Sequence, residues 1–220
     1  MENGNAAARR RRYTTYMRRL ATPLAFLLSI TAARGGDAQE PFQARAVTSY
    51  PCRQTISGLT IAAEVFDTRE EMRSAFGKLD LSRYGVLPVL IVMKNDSEKV
   101  LRLETARFEY MRPDRKRLVA VPASEVRYLY GPRKPPTVPV PRSPIPRVGG
   151  REKNPLEAWE IEGRAFAARV LPPGETANGF IYFQTANHRG AVLFVTGLEE
   201  AATGQQLFYF EIPLDGPPGG

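Results

Sequence analysis

The run Gly85–Asn95 (GVLPVLIVMKN) constrains this chain more than any other stretch. It is the longest apolar run outside residues 1–38, and its β-branched residues Val86, Val89, Ile91 and Val92 favour a strand over a helix. A strand without polar alternation is expected to be buried on both faces, as the inner strand of a sheet around which the rest of the chain packs. Asn95-Asp96-Ser97 then supplies turn residues, and 100–105 (VLRLET) resumes as an alternating strand.

Ahead of this core lies a leader. Met17-Arg18-Arg19 precedes 20–33 (LATPLAFLLSITAA), and Gly36-Asp37-Ala38 places small residues at both positions that a cleavage after Ala38 requires. A basic start, a short apolar segment and a small-x-small site make a signal peptide. Pro23 and the shortness of the apolar segment disfavour a permanent span, with an uncleaved anchor as the alternative. Met17 is an alternative start, and Arg9–Arg12 before Tyr13 faintly matches a twin-arginine signal. Export with cleavage near Ala38 would leave the chain periplasmic or extracellular, touching the membrane only through the leader.

The formal charge of +8 would suggest a nucleic-acid partner if it were evenly spread. Seven arginines against Glu2 and Asp37 put +5 into residues 1–38, leaving +3 on residues 39–220. A near-neutral, mixed-sign body argues against nucleic acid. Cys52 is the single cysteine, so no internal disulfide forms and the exported domain must rely on its apolar core. Ser49-Tyr50-Pro51 is not the small-residue context of a lipid-anchored cysteine.

Residues 39–58 read as an irregular N-terminal arm, and 59–66 (LTIAAEVF) as a first strand. Thr68 and Glu71 have capping-box spacing. Met72, Ala75, Phe76 and Leu79 then share one helical face, and Gly77 stops the helix, which is expected across an edge or end of the sheet. Leu101 and Leu103 alternate with Arg102 and Glu104, as Phe108 and Tyr110 do with Arg107 and Glu109. Leu103 and Phe108 are an odd number apart, so a bulge or a change of sheet is expected near Thr105-Ala106. Residues 118–121 form a further short strand, and 124–130 a helical turn or two closed by Gly131.

Residues 131–150 (GPRKPPTVPVPRSPIPRVGG) differ in kind. They hold seven of the 19 prolines, with Arg133, Lys134, Arg142 and Arg147 and no acid. Proline at this density excludes helix and central strand and favours polyproline II. The segment reads either as a basic spacer or as a docking arm for an acidic partner or envelope polymer, with Arg133, Lys134, Pro135, Pro136, Pro139, Arg142 and Arg147 as candidate docking residues. Arg133 through Pro139 also matches an SH3-ligand pattern, which is fortuitous in an exported protein.

Asn154 as N-cap and Pro155 at the first helical position open a second short helix. Leu156 and Trp159 are expected to face the core and Gly163 to end the helix. Residues 164–171 return to strand, and 172–175 (PPGE) turn. Three strands, 179–184, 191–198 and 206–213, read as a closing meander with turns at Gly190 and Gly204, followed by a frayed tail at 216–220. The expected class is mainly β: an antiparallel immunoglobulin-like β-sandwich with two or three short helices, one domain over 59–215 interrupted by 131–150. The Cys…Trp…Cys hallmark is absent, so the architecture alone is meant.

Two blocks carry a resemblance. The apolar strand 85–89 running to Asn95-Asp96-Ser97 and then Leu101-Arg102-Leu103 resembles the water-stress, LEA14-like β-sandwiches. Leu171-Pro172-Pro173-Gly174-Glu175 through Gly179-Phe180-Ile181-Tyr182-Phe183 is similar to the late strands of bacterial secreted immunoglobulin-like domains. The resemblance implies an extracytoplasmic accessory domain without an active site. The helix at 155–162 and the proline-rich insertion depart from that pattern, and fold analogy assigns no function by itself.

No catalytic constellation stands out. His188, the single histidine, sits in the turn Asn187-His188-Arg189-Gly190, with nothing to place a Ser or Cys52 beside it. Glu70-Glu71, Glu160 with Glu162, and Glu199-Glu200 read as solvated surface. No metal set, P-loop or dinucleotide fingerprint is present, so no cofactor is expected. Asn95-Asp96-Ser97 is formally a glycosylation sequon, with a hairpin turn as its simpler reading. Trp159, Tyr182 and Tyr209 are candidates for an apolar cleft. The expectation is an exported, non-enzymatic interaction or structural module of the cell envelope, with a protein or envelope polymer as partner. The alternative is a binder of a small apolar ligand, lipid or cell-wall polymer between the sheets.

Overall fold

The computed structural model describes residues 42–129 and 154–215, all within one compact unit spanning 39–220. Strands β1 (Arg53–Ile56), β2 (Leu59–Val65), β3 (Leu87–Asn95) and β8 (Thr176–Phe183) form one antiparallel sheet in that order. A second sheet runs β11 (Phe210–Pro213), β9 (Val192–Thr196), β5 (Arg107–Met111), β6 (Arg117–Val119). A small third sheet joins β10 (Glu199–Glu200), β4 (Leu101–Arg102) and β7 (Val170–Leu171). Three short helices, α1 (Arg69–Phe76), α2 (Ala123–Val126) and α3 (Trp159–Gly163), complete the described elements together with short 3-10 turns. The protein is thus mainly β, with three antiparallel sheets in a sandwich-like arrangement.

Strand β3 is the middle of three layers. Its residues Leu87, Val89, Ile91 and Met93 join Ile61, Ile181, Phe183, Tyr110, Leu193 and Ile212 in a core between the two large sheets. Leu90 and Val92 point the other way, joining Ala62, Phe180 and Tyr182 under Met72, Phe76, Val126, Leu156 and Ile161. This explains why the strand is apolar without alternation: both of its faces are covered, as expected. Each buried aliphatic side chain contributes about 1.5–3 kcal/mol.

Helix α1 forms as its spacing indicates. Thr68 Oγ1 accepts from Glu71 N at 3.3 Å, while Glu71 Oε2 accepts from Thr68 N at 3.0 Å, closing the capping box. The helix lies on the face of the central sheet rather than at its edge, because Met72, Ala75 and Phe76 are all buried against it. The expected change of sheet also occurs: β4 belongs to the small sheet and β5 to the outer one, which resets the inward phase between Leu103 and Phe108.

Several expectations are corrected. The stretch 39–58 is not a loose arm where it is described: Val47 and Tyr50 are buried, Phe42 packs 5.3 Å from Phe180, and 53–56 is β1. The second helix breaks at Ala158, whose ψ of 133° is extended, into a 3-10 turn at Pro155–Glu157 and the separate α3. Leu156 stays buried, but the break turns Trp159 outward to 67% exposure. The segment 164–171 is strand only at Val170–Leu171, and the last strand only at Phe210–Pro213. Finally, no closing meander forms. Strand β8 pairs with β3, whereas β9 pairs with β11 and β5 in the other sheet. The physical reason is that β8 is apolar on both faces and finds cover for both only beside β3, whereas β9 turns Leu193 and Val195 inward and Phe194 outward.

Candidate functional site

The candidate docking residues Arg133, Lys134, Pro135, Pro136, Pro139, Arg142 and Arg147 lie outside the described residues, as do Gly131 and the tail. Described residues on either side of that segment meet. Asn154 Oδ1 accepts from Leu156 N at 2.9 Å, capping the 3-10 turn, while its Nδ2 donates to the carbonyl of Arg127 at 2.9 Å. Arg127 in turn pairs with Glu162 of α3 and donates from Nε to Ser124 O at 3.0 Å. Val126 and Leu156 are buried beneath this stem. Arg127 and Asn154, which flank residues 130–153, are thus held together.

The three cleft candidates are not brought together. Tyr182 is 1% exposed within the core on the helical side, and its hydroxyl donates to Ile161 O at 2.7 Å. Burial pushes that hydroxyl well above the ordinary tyrosine range. Tyr209 is 57% exposed and stacks on Phe194 at 6.1 Å, outside the other large sheet. Trp159 lies over Gly163, where an added Cβ would come 3.0 Å from its ring, with the Arg164 guanidinium 5.9 Å away.

Four surface depressions are formed elsewhere, and none of these four is lined by Trp159, Tyr182 or Tyr209. One, about 500 Å³, opens at the rim of the inter-sheet core between Leu103, Phe108 and Phe166, whose ring stands edge-on to Phe108 at 5.7 Å. Another, about 350 Å³, is edged by Arg69, Arg73, Lys78 and Arg83. Neither group was singled out from the sequence. The signal for the second was present, since Arg69 and Arg73 are four apart on a helix, but the turn that brings Lys78 and Arg83 to them is tertiary.

The titratable groups serve the framework. His188 donates its backbone N–H to Tyr110 Oη at 2.8 Å, and Tyr110 donates to Asn187 Oδ1 at 3.3 Å. Its ring Nε2 lies 3.4 Å from Thr185 Oγ1, a hydroxyl that itself donates to Ala186 O. Burial also raises the Tyr110 hydroxyl, partly countered by the His188 N–H. Glu71 is a cap, Glu162 pairs with Arg127, and Glu199 pairs with Arg102 at 3.7 Å. Lys99 bonds Glu200 at 2.7 Å and holds its carboxyl below the usual range. Among the described residues no group of three or more His, Cys, Asp or Glu is placed to hold a metal. The sequon asparagine, Asn95, is fully buried with its amide nitrogen donating to both Lys99 O and Leu171 O, which removes it as a glycan acceptor in the folded chain.

Fold and surface together define a mainly β, sandwich-like domain with a helical outer layer. No protein-family model matches the chain, and no curated protein matches it either. Among the described residues, no helix is long and apolar enough to cross a membrane.

Proposed function

We propose that this is an exported, non-enzymatic accessory module of the cell envelope that docks a protein or an acidic envelope polymer through its basic proline-rich segment, 131–150. The observation that carries the reading is the pinned stem. Asn154 and Arg127 close the base of the segment on a buried footing, so an inserted sequence is presented from one fixed place on the body. Proline-rich sequence costs little conformational entropy to bind, and its four cations match an acidic partner. The leader supports export, and the immunoglobulin-like assignment belongs to this reading by analogy. Crosslinking in the native envelope, with and without residues 132–147, tests it. Because Arg127 and Asn154 on either side already meet, the deletion should fold. A partner lost on deletion supports docking, and an unchanged partner set sinks it.

A second reading has an observation of its own. The rim groove of Leu103, Phe108 and Phe166, with Glu104 and Arg169 at its border, could take the apolar part of a small ligand or lipid. Extraction of bound lipid from the purified protein, and its loss in Phe166→Glu, would favour that reading.

A further inference from the structure

Three turns from separate parts of the chain converge beside the small sheet. Ser57 and Gly58 join β1 to β2, residues 96–100 join β3 to β4, and residues 201–205 follow β10. Gly58 O accepts from Asp96 N at 2.7 Å, and a Cβ on Gly58 would meet Ser97 Cβ at 2.9 Å, so the first two turns are in contact. Lys99 Nζ bonds Glu200 Oε2 at 2.7 Å and Ala201 N donates to Val100 O at 2.8 Å, which joins the second turn to the third. Between them lies a depression of about 480 Å³. Leu101 and Leu207 supply its apolar part, and both belong to the packing of the inter-sheet core. Ser57, Glu98, Gln205 and the Lys99–Glu200 pair supply its polar part. Among the described residues, the side chains of Ser57, Glu98 and Gln205 make no hydrogen bond or ion pair.

The first turn carries a local cost. Ile56 pairs with Leu59, so Ser57 and Gly58 are its two central residues, and both have positive φ, +50° and +81°. Glycine, asparagine or aspartate suits the first of these positions, and serine there is strained by about 1 kcal/mol. What serine supplies instead is a hydroxyl at the border of the depression. The remaining groups narrow the ligand. The Lys99–Glu200 pair is neutral as a unit and Glu98 adds a negative charge, which disfavours a phosphate or other anion. A hydrocarbon tail would cover the polar groups without giving them partners. Among the described residues no group of three or more His, Cys, Asp or Glu is placed to hold a metal. A sugar ring presents neighbouring hydroxyls that both donate and accept, with C–H groups between them. That pattern matches a carboxylate, an amide and a hydroxyl set around two leucines.

We propose that this depression binds a neutral saccharide. The proposal is independent of the docking role of 131–150 and of the rim groove at Phe166. The probes are maltotriose and triacetylchitotriose, with 1,4-diaminobutane as a cationic reference, each titrated calorimetrically into the purified protein. Binding of at least one saccharide is expected. It should weaken about tenfold in Glu98→Ala but stay within about threefold in Glu98→Gln, which keeps the acceptor and drops the charge. Ser57→Gly relieves the turn, so the melting temperature should be unchanged or higher while saccharide binding weakens about fivefold, a combination that loss of folding does not produce. No binding of either saccharide, with or without binding of the diamine, overturns the proposal. So does a saccharide affinity that neither Ser57→Gly nor Glu98→Ala changes.

Discussion

The side-chain amide of Asn95 donates to the carbonyl of Leu171 at 3.0 Å, joining the end of the central strand to a segment 76 residues later. The same nitrogen donates to Lys99 O at 2.7 Å, and Oδ1 accepts from Ser97 N at 3.1 Å and Ser97 Oγ at 2.6 Å. The Asn95 backbone completes the joint, donating to Glu175 O at 3.1 Å and accepting from Gly174 N at 2.7 Å. One buried residue therefore closes the turn between β3 and β4, which pass into different sheets, and ties it to the turn that precedes β8.

Asn95→Ala should lower stability by about 1–3 kcal/mol, because it takes the Asn95 donor from the buried Leu171 carbonyl and the acceptor from Ser97. Asn95→Asp keeps the acceptor for Ser97 but loses both N–H groups and buries a charge, so it should cost at least as much. Urea denaturation midpoints check both. A loss below about 0.5 kcal/mol would show that the joint is not structural.

Gly179 sits in the interior of β8, paired with Ile91, and a Cβ there would meet Phe166 Cα at 2.5 Å. The crossing segment binds so closely because Phe166 N donates to Phe180 O and Phe180 N to Arg164 O. Gly179→Ala should therefore cost about 3 kcal/mol by overpacking against backbone. Gly174→Ala meets no atom within 4 Å and strains only its φ of +76°, so about 1 kcal/mol is expected. Thermal melts of the pair rank the two effects.

Trp159 is the single tryptophan, so intrinsic fluorescence reports on it alone. Its exposure predicts red-shifted emission in the native state and ready quenching by iodide. Trp159→Ala should change stability by less than about 0.5 kcal/mol. By contrast, Tyr182→Phe should cost about 1–2 kcal/mol, since it leaves the buried Ile161 carbonyl without its donor.

Alkaline stability should follow the buried tyrosines. Tyr182 and Tyr110 keep their protons to higher pH in the folded chain than the ordinary value of 10.0. The unfolded chain releases them first, so stability holds below about pH 10 and falls above it, by at most about 1.4 kcal/mol per pH unit for each tyrosine. Tyr182→Phe should flatten that fall. A slope unchanged by the substitution would assign it to other groups.

Local signals in the sequence carried the local structure. The capping box at Thr68, the stop at Gly77, the two-faced strand 87–95 and the phase reset between Leu103 and Phe108 were all legible, because each depends on residues close together along the chain. Partner choice among strands was not. Periodicity marks β8 and β9 as strands, but only the need to cover both faces of β8 places it beside β3 and sends β9 to the other sheet. Trp159 carries the same lesson, since its spacing from Leu156 suits one continuous helix and a single extended residue at Ala158 points it to solvent. Sequence alone determined those elements whose signals lie in neighbouring residues. Tertiary structure decided which faces are covered, that Arg127 and Asn154 on either side of the proline-rich segment meet, and that four separated cations share one depression, because burial and proximity across the chain arise only when the layers close.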